Sequence, residues 1–290
     1  MINAPSHLRK KLSEPAQLPS IAKNIHVLIQ ALADNNLSYQ QLSEIIKHYP
    51  EITARLIFLA NSSWSAPISP INNIEQACAR LGMSIVKSIS IAISISSSFD
   101  TRSCPAFDTV HFWTSSILVA EGAGLIASKL PYSIASIELE HTAQTAGVLH
   151  NLGLLWLANN LPSETNSALQ ILTENSNSYT LNETLKQSTE TDYCEIGGWI
   201  ATQLKLPDVL IATMTYHLDP QYQGTSWETA IIVGTAANML STIHKQSDQF
   251  TSNDRLEQLG VDSNTQQLIF QKLTNNFEKT QALAQTLFKG

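Results

Sequence analysis

Charge is scarce in this 290-residue chain: Asp, Glu, Lys and Arg make up 14% of it, against roughly 25% in an average soluble domain. The 17 Lys and Arg face 24 Asp and Glu, for a formal net charge of −7. Gripping nucleic acid through overall charge needs clustered cations, so the balance argues against that class. Glycine and proline, eleven of each, fall below the roughly 12% that is usual, which favours long helices over many turns. Cysteine is limited to Cys78, Cys104 and Cys194, with no C-x-x-C pair. That odd, scattered count excludes a disulfide scaffold and suits a reducing compartment. Met1 to Lys11 lacks the apolar stretch of a secretory signal. The longest uncharged runs fail as membrane spans. Leu56–Ile74 carries Pro67 and Pro70, and His141–Ser163 carries two histidines, Gln144 and several asparagines. Phosphate-loop, dinucleotide and nucleophile-elbow motifs are missing too, and Gly122 and Gly124 fall mid-helix. A soluble, cytoplasmic protein with no membrane partner is expected.

What remains is ample apolar content, 43%, arranged with helical spacing. Residues 1–17 read as a polar lead-in. Ile21, Ile25, Leu28, Ile29 and Leu32 then repeat at three and four residues, the stripe of a one-sided helix. Ser38 with Gln41 forms a capping-box pattern ahead of Leu42, Ile45, Ile46 and Tyr49. Pro50 suits the first turn of the next helix, through Ile52, Leu56, Ile57 and Leu59. A loop follows from Asn61 to Ile71, then a short helix with Asn72 as N-cap, Glu75 at N3 and Gly82 as its end.

Ile89, Ile91, Ile93 and Ile95 alternate with Ser and Ala, which is strand periodicity. Leu81, Ile85, Ile89 and Ile93 are nonetheless four apart, and no second strand is present to pair with, so this segment reads as a buried helix. Asp100–Asp108 divides two helical lobes. In the second lobe, helices are expected at Asp108–Leu130, Ile137–His150, Leu152–Asn160, Cys194–Leu204, Asp208–His217 and Glu228–His244. Residues 163–191 read as a surface helix with loops. Beyond the Gly260 neighbourhood, Leu268, Leu273, Phe277, Leu283 and Leu287 predict a helix over Thr265–Phe288 that packs back. No repeat of solenoid length is evident. The fold class is all-α.

Two motif groups invite function. A-C-A-R-L-G-M-S-I-V-K-S within residues 72–95 has the look of a helix-turn-helix, with Ala77, Gly82 and Ser84 at the small, turn and capping positions. Its second helix has Lys87 as its only cation and is dominated by isoleucine, whereas base edges and phosphates require exposed polar and basic groups. An ordinary helical corner is the better reading. The other group is His150-Asn151, His217, and Glu190 with Asp192, where imidazoles near carboxylates could hold a divalent ion or move protons. A lone His at a helix terminus is more often a cap, because a cation there meets the C-terminal dipole favourably.

Taken together, the segments resemble the HDOD family, the HD-related output domain of bacterial signalling proteins. The resemblance is carried by L-P-S-I at Leu18–Ile21, E-I-I-K-H-Y-P at Glu44–Pro50, T-A-R-L-I-F-L-A-N-S at Thr53–Ser62 (with Asn61) and I-E-Q-A-C-A-R-L-G at Ile74–Gly82. It continues with F-W-T-S-S-I-L-V-A at Phe112–Ala120 (with Trp113) and A-G-V-L-H-N-L-G at Ala146–Gly153. E-I-G-G at Glu195–Gly198 (with Gly197), L-P at Leu206–Pro207 and Y-H-L-D-P at Tyr216–Pro220 complete it. It covers residues 18–240, an N-terminal lobe at 18–100 and an HD-like lobe at 108–240, and leaves 241–290 as a C-terminal helical extension.

The resemblance implies where a metal site would lie. HD phosphohydrolases hold a divalent metal with a His, a His-Asp pair and a distant Asp. Carried over, the first position falls on Ser115, the pair reads His150-Asn151, and the last falls near Asn238. Tyr193 stands where relatives often have another His, and His217 completes the expected pocket. Asn keeps the shape of Asp but removes its charge, and without a metal no water is activated. His111, one turn or about 6 Å before Ser115, and Asp192 with His217 are the remaining candidates for a substitute site. The expectation is therefore a vestigial pocket with no metal and no cofactor. The module would signal by binding protein partners, or a small ligand such as a nucleotide. A metal-dependent phosphohydrolase is the alternative, and DNA binding through residues 72–95 the third reading. The low charge and Ser-rich helical faces would permit a homodimer.

Overall fold

The computed structural model describes residues 28, 31, 37–62, 65–174, 179–247 and 250–288, and among these it contains helices and no strands. The lead-in over 1–17 and most of the stripe from Leu18 fall outside the described residues; of that stripe Leu28 is described, and it is buried.

The N-terminal lobe is built from α1 (Tyr39–Lys47), α2 (Pro50–Asn61), α3 (Ile74–Leu81) and α4 (Met83–Ser96). Ser38 and Gln41 make the full capping box on α1, and Pro50 occupies the first turn of α2. On α3 the cap is Asn73, whose side chain accepts from the Gln76 amide at 2.8 Å. The expected Asn72 instead lies one residue outside and donates its own amide to Gln76 Oε1 at 3.3 Å. Gly82, at φ +84°, turns the chain directly from α3 into α4.

The isoleucine-rich segment is a helix. Ser88, Ser90 and Ser94 are buried, and the last two hide their hydroxyls against their own backbone: Ser90 Oγ donates to Val86 O and Ser94 Oγ to Ser90 O, each at 2.6 Å. The alternating pattern thus reports burial on every side rather than a strand. Lys87 is itself buried, so α4 offers no basic face to a nucleic-acid groove.

Asn61 explains the loop between α2 and α3. Its amide donates to Ile71 O at 2.7 Å and accepts from the Ile71 amide at 2.8 Å. One side chain therefore clasps both ends of the loop. Ser62 Oγ closes onto Leu59 O at 2.7 Å, and Arg80 holds the loop from α3 through Ser65 and Ala66.

Residues 98–108 lead to the second lobe and are tied to it, with the Asp100 amide on Asn159 Oδ1 at 2.7 Å and the Ala106 amide on Asn166 Oδ1 at 2.8 Å. This lobe contains α5 (Thr109–Ala127), α6 (Ile137–Leu149), α7 (Leu152–Asn160), α8 (Pro162–Glu174), α9 (Leu181–Thr189), α10 (Tyr193–Gln203), α11 (Asp208–Tyr216), α12 (Trp227–His244), α13 (Asp254–Gln258) and α14 (Ser263–Phe288). The polar stretch at 163–191 thus holds two helices, the second opened by a Thr180/Glu183 capping box.

Helix α5 is the axis of the lobe, with α6, α12 and α14 packed around it. It is long and apolar enough to cross a membrane by length and composition, but 78% of that stretch is buried in the protein. The C-terminal helix packs back as expected: Leu273, Leu283 and Leu287 are buried, whereas Leu268 of the expected stripe faces outward. The lobes meet where α4 lies on α6, with Ser88 and Thr145 hydroxyls 3.4 Å apart. The end of α14 closes the same junction.

Candidate functional site

His150 follows the last residue of α6, and two close helix approaches shape its surroundings. A Cβ added at Gly153 on α7 would fall 2.0 Å from Tyr193 O, and one at Gly234 on α12 would fall 1.9 Å from His217 O. Only glycine permits these approaches, which set the start of α10 against α7 and the end of α11 against α12. The result is a cluster of three rings. His150 and His217 are edge-on with centroids 5.4 Å apart, and Tyr193 lies 5.8 Å from His217 and 6.5 Å from His150.

The hydrogen bonds fix the protonation pattern. His150 Nδ1 is 2.7 Å from Gly147 O and His217 Nδ1 is 3.1 Å from Thr213 O. A carbonyl can only accept, so both rings donate from Nδ1 and carry a bare Nε2. The Tyr193 hydroxyl points its proton at His217 Nε2 over a long 3.5 Å. All three side chains are buried.

Burial first, and then the neighbouring His217, pushes the His150 pKa down to about 3, against the pull of the Gly147 carbonyl. Burial likewise takes His217 down to about 4. Both imidazoles are neutral near pH 7. Cys194, with Sγ 3.9 Å from both ring nitrogens of His217, has its thiol pushed up to about 12 by burial and by the Asp192 charge. It is a protonated packing group and not a nucleophile.

The six expected pocket residues divide. Asn151 is beside the cluster, and its Oδ1 is 3.0 Å from Ser116 Oγ. Ser115 points elsewhere. Its hydroxyl donates to His111 O at 2.9 Å and lies 3.3 Å from His244 Nε2, beneath a pair formed by His111 and His244 with centroids 4.1 Å apart. One residue along a helix is a rotation of about 100°, and the α5 hydroxyl that turns toward the His150 side is Ser116. Asn238 is exposed on α12; that helix meets the site a turn earlier, at Gly234.

Ser116 and Gly234 were thus missed. A glycine in mid-helix is the usual sign of close backbone approach and could have identified the latter. Nothing in the sequence singled out His244. The substitute ligands fare no better. Asp192 caps α10 through the Glu195 amide at 2.8 Å and pairs with Lys186 at 2.8 Å. Glu190 is an exposed left-handed residue at the end of α9, and His111 lies against His244 with the rings tilted by 32°.

A hard divalent cation needs several anionic oxygens converging on one point. Among the described residues no group of three His, Cys, Asp or Glu side chains is placed to hold a metal ion. The ring cluster presents two imidazole nitrogens, a phenol and a thiol, with no carboxylate. These residues do not fit an HD-type metal centre.

Of the remaining motif positions, Trp113 is a packing residue stacked on Phe288 at 4.3 Å, and Pro207 opens α11. Gly197 faces Met214 and the Gly153 amide at ordinary contact distance, 3.6 and 3.7 Å from an added Cβ.

Comparisons with known proteins agree with this architecture. Of the solved structures it is similar to, a provisionally assigned signal transduction protein from Marinobacter aquaeolei VT8 aligns at TM-score 0.81 and 19% identity over 99% of this chain. The chain spans 62% of the length of that protein. An HDOD domain protein of unknown function from Geobacter sulfurreducens aligns at TM-score 0.74 and 19% identity, covering 97% of this chain and 96% of that one. A provisionally assigned phosphohydrolase from Shewanella amazonensis SB2B aligns at TM-score 0.70 and 22% identity, covering 93% and 95%. At these identities the likeness is one of fold. No curated protein matches the sequence. The HDOD domain model matches residues 18–220, and the chain belongs to the HDOD family.

Proposed function

We propose that this protein is a signalling module without phosphohydrolase activity, acting through partners bound on its surface. The observation that carries the reading is the content of the HD position. Where a phosphohydrolase needs carboxylates around a metal-bound water, this chain packs His150, His217 and Tyr193 as neutral, buried rings. The nearest acid, Asp192, is committed to capping α10 and pairing with Lys186. Such a cluster behaves as a satisfied polar core, in line with the general rule that buried polar groups bond one another.

Elemental analysis of chelator-free protein after dialysis against excess manganese, combined with a phosphodiester hydrolysis assay, tests it. The expected result is substoichiometric metal and no turnover above buffer. Turnover that disappears in His150→Ala would establish the phosphohydrolase instead. Thermal-shift screening at saturating nucleotide separates the two forms of the signalling reading. No stabilisation is expected of a packed core, and a shift would reveal a ligand cleft.

A further inference from the structure

The contact between α5 and the end of α14 buries polar side-chain atoms that have no partner. Trp113 Nε1, Glu121 Oε2 and Thr280 Oγ1 are buried there without a hydrogen-bond partner. Thr280 lies one turn beyond Asn276, whose amide reaches Glu121 Oε1 at 2.7 Å, and just before Leu283, so it faces α5. Each of these atoms regains a hydrogen bond when the helix lifts and water enters, which favours the open state.

Several contacts oppose opening: Phe277 lies edge-on to His244 at 5.3 Å, Leu283, Ala284 and Leu287 are buried, Phe288 stacks on Trp113 at 4.3 Å, and Arg55 Nη1 of α2 lies on Leu287 O at 2.5 Å. Beneath Leu283 lies an apolar crevice between the lobes, lined by Leu59, Ile85, Ile89, Ile117 and Val148. The first half of α14 is anchored differently. Ile269, Phe270 and Leu273 are buried, Phe270 stacks on Phe250 at 5.5 Å, and Gln266 bonds Asn253 and Val261. Between the halves stands Thr274-Asn275-Asn276, three weak helix formers in mid-helix, with Thr274 Oγ1 turned back onto Phe270 O at 2.9 Å.

We propose that Phe277–Phe288 is a displaceable strap that opens about Thr274–Asn276 and uncovers the inter-lobe crevice, while Ser263–Leu273 stays docked. The frustration on α5, the polar break and the anchored first half place the hinge in the same turn. Hydrogen exchange by mass spectrometry on the full chain tests it.

The amides of 277–288 should exchange as one unit, at least about a hundredfold faster than those of α5 and α6. Thr280→Val, which removes an unpaired hydroxyl while keeping the shape, should slow that exchange by about tenfold and leave α10 and α11 unchanged. Arg55→Ala should speed it. Protection that falls off gradually from the last turn, exchange of 277–288 only together with α5 and α6, or no slowing in Thr280→Val would each overturn the strap.

Discussion

His150 and His217 each use one ring nitrogen on a carbonyl of their own helix and bury the other without a proton. In the unfolded chain both titrate near the ordinary histidine value of about 6.5, whereas in the folded protein they do so at about 3 and about 4. A depressed histidine pKa means that the unfolded state binds the proton first. The stabilisation is complete above about pH 6.5 and is lost as pH falls toward the folded values. Each ring should steepen the loss by about 1.4 kcal/mol per pH unit between about pH 6 and 4. Urea unfolding at a series of pH values measures the slope. His150→Gln should lower it by about one proton even if it also costs stability at pH 7, and an unchanged slope would show that the ring is already charged in the fold. Glu121 acts in the opposite sense. Burial holds its carboxyl above the usual range against the Asn276 bond and the charges of Lys272 and Lys279, so its contribution is full at low pH and fades as the group ionises.

Helices meet here through absent side chains as much as through present ones. At Gly153 the Tyr193 carbonyl would be 2.0 Å from a methyl group, and backbone on two packed helices cannot yield that far. Gly153→Ala should cost roughly 3 kcal/mol or more, or abolish folding, while Gly197→Ala, with its nearest contact at 3.6 Å, should stay within about 1 kcal/mol. Thermal unfolding of the two variants compares them directly. Asn61→Ala removes both bonds to Ile71 that close the loop after α2, and should lower stability by roughly 2 kcal/mol with early proteolysis confined to residues 62–71. Signals of this local kind were the legible part of the fold: the Ser38 box, Pro50 and the helix over Leu152–Asn160 all stand where the residues put them. What lay beyond local reading was rotation and choice among equals. Asn72 and Asn73 offer the same cap, and Ser115 and Ser116 the same hydroxyl; tertiary packing alone selects Asn73 and Ser116. Asn238 was placed by likeness to a motif, and the helix beneath it approaches the site at Gly234 instead.

At the scale of the molecule, the family match ends at residue 220, before α12, yet the site is incomplete there, because Gly234 of α12 is what admits the His217 backbone. Helix α12 is also a core element, burying Ile231, Ile232, Val233, Met239 and Leu240. At about 2 kcal/mol for each large apolar side chain, that face contributes roughly 10 kcal/mol, as much as the whole net stability of an ordinary domain. The end of α14 is different in kind: its apolar contacts at Leu283, Leu287 and Phe288 are offset by three unpaired polar atoms on the same interface. Two truncations should therefore behave oppositely. A chain ended at residue 226 should lack a cooperative transition and near-ultraviolet dichroism, since the His150 cluster has lost its wall and the core one of its faces. A chain ended at residue 274 should keep both, melt a few degrees lower, and bind an apolar dye at the crevice that Leu283 no longer covers. Cooperative folding of the shorter chain would show that the matched segment is self-sufficient; collapse of the longer one would show that Phe277–Phe288 belongs to the core.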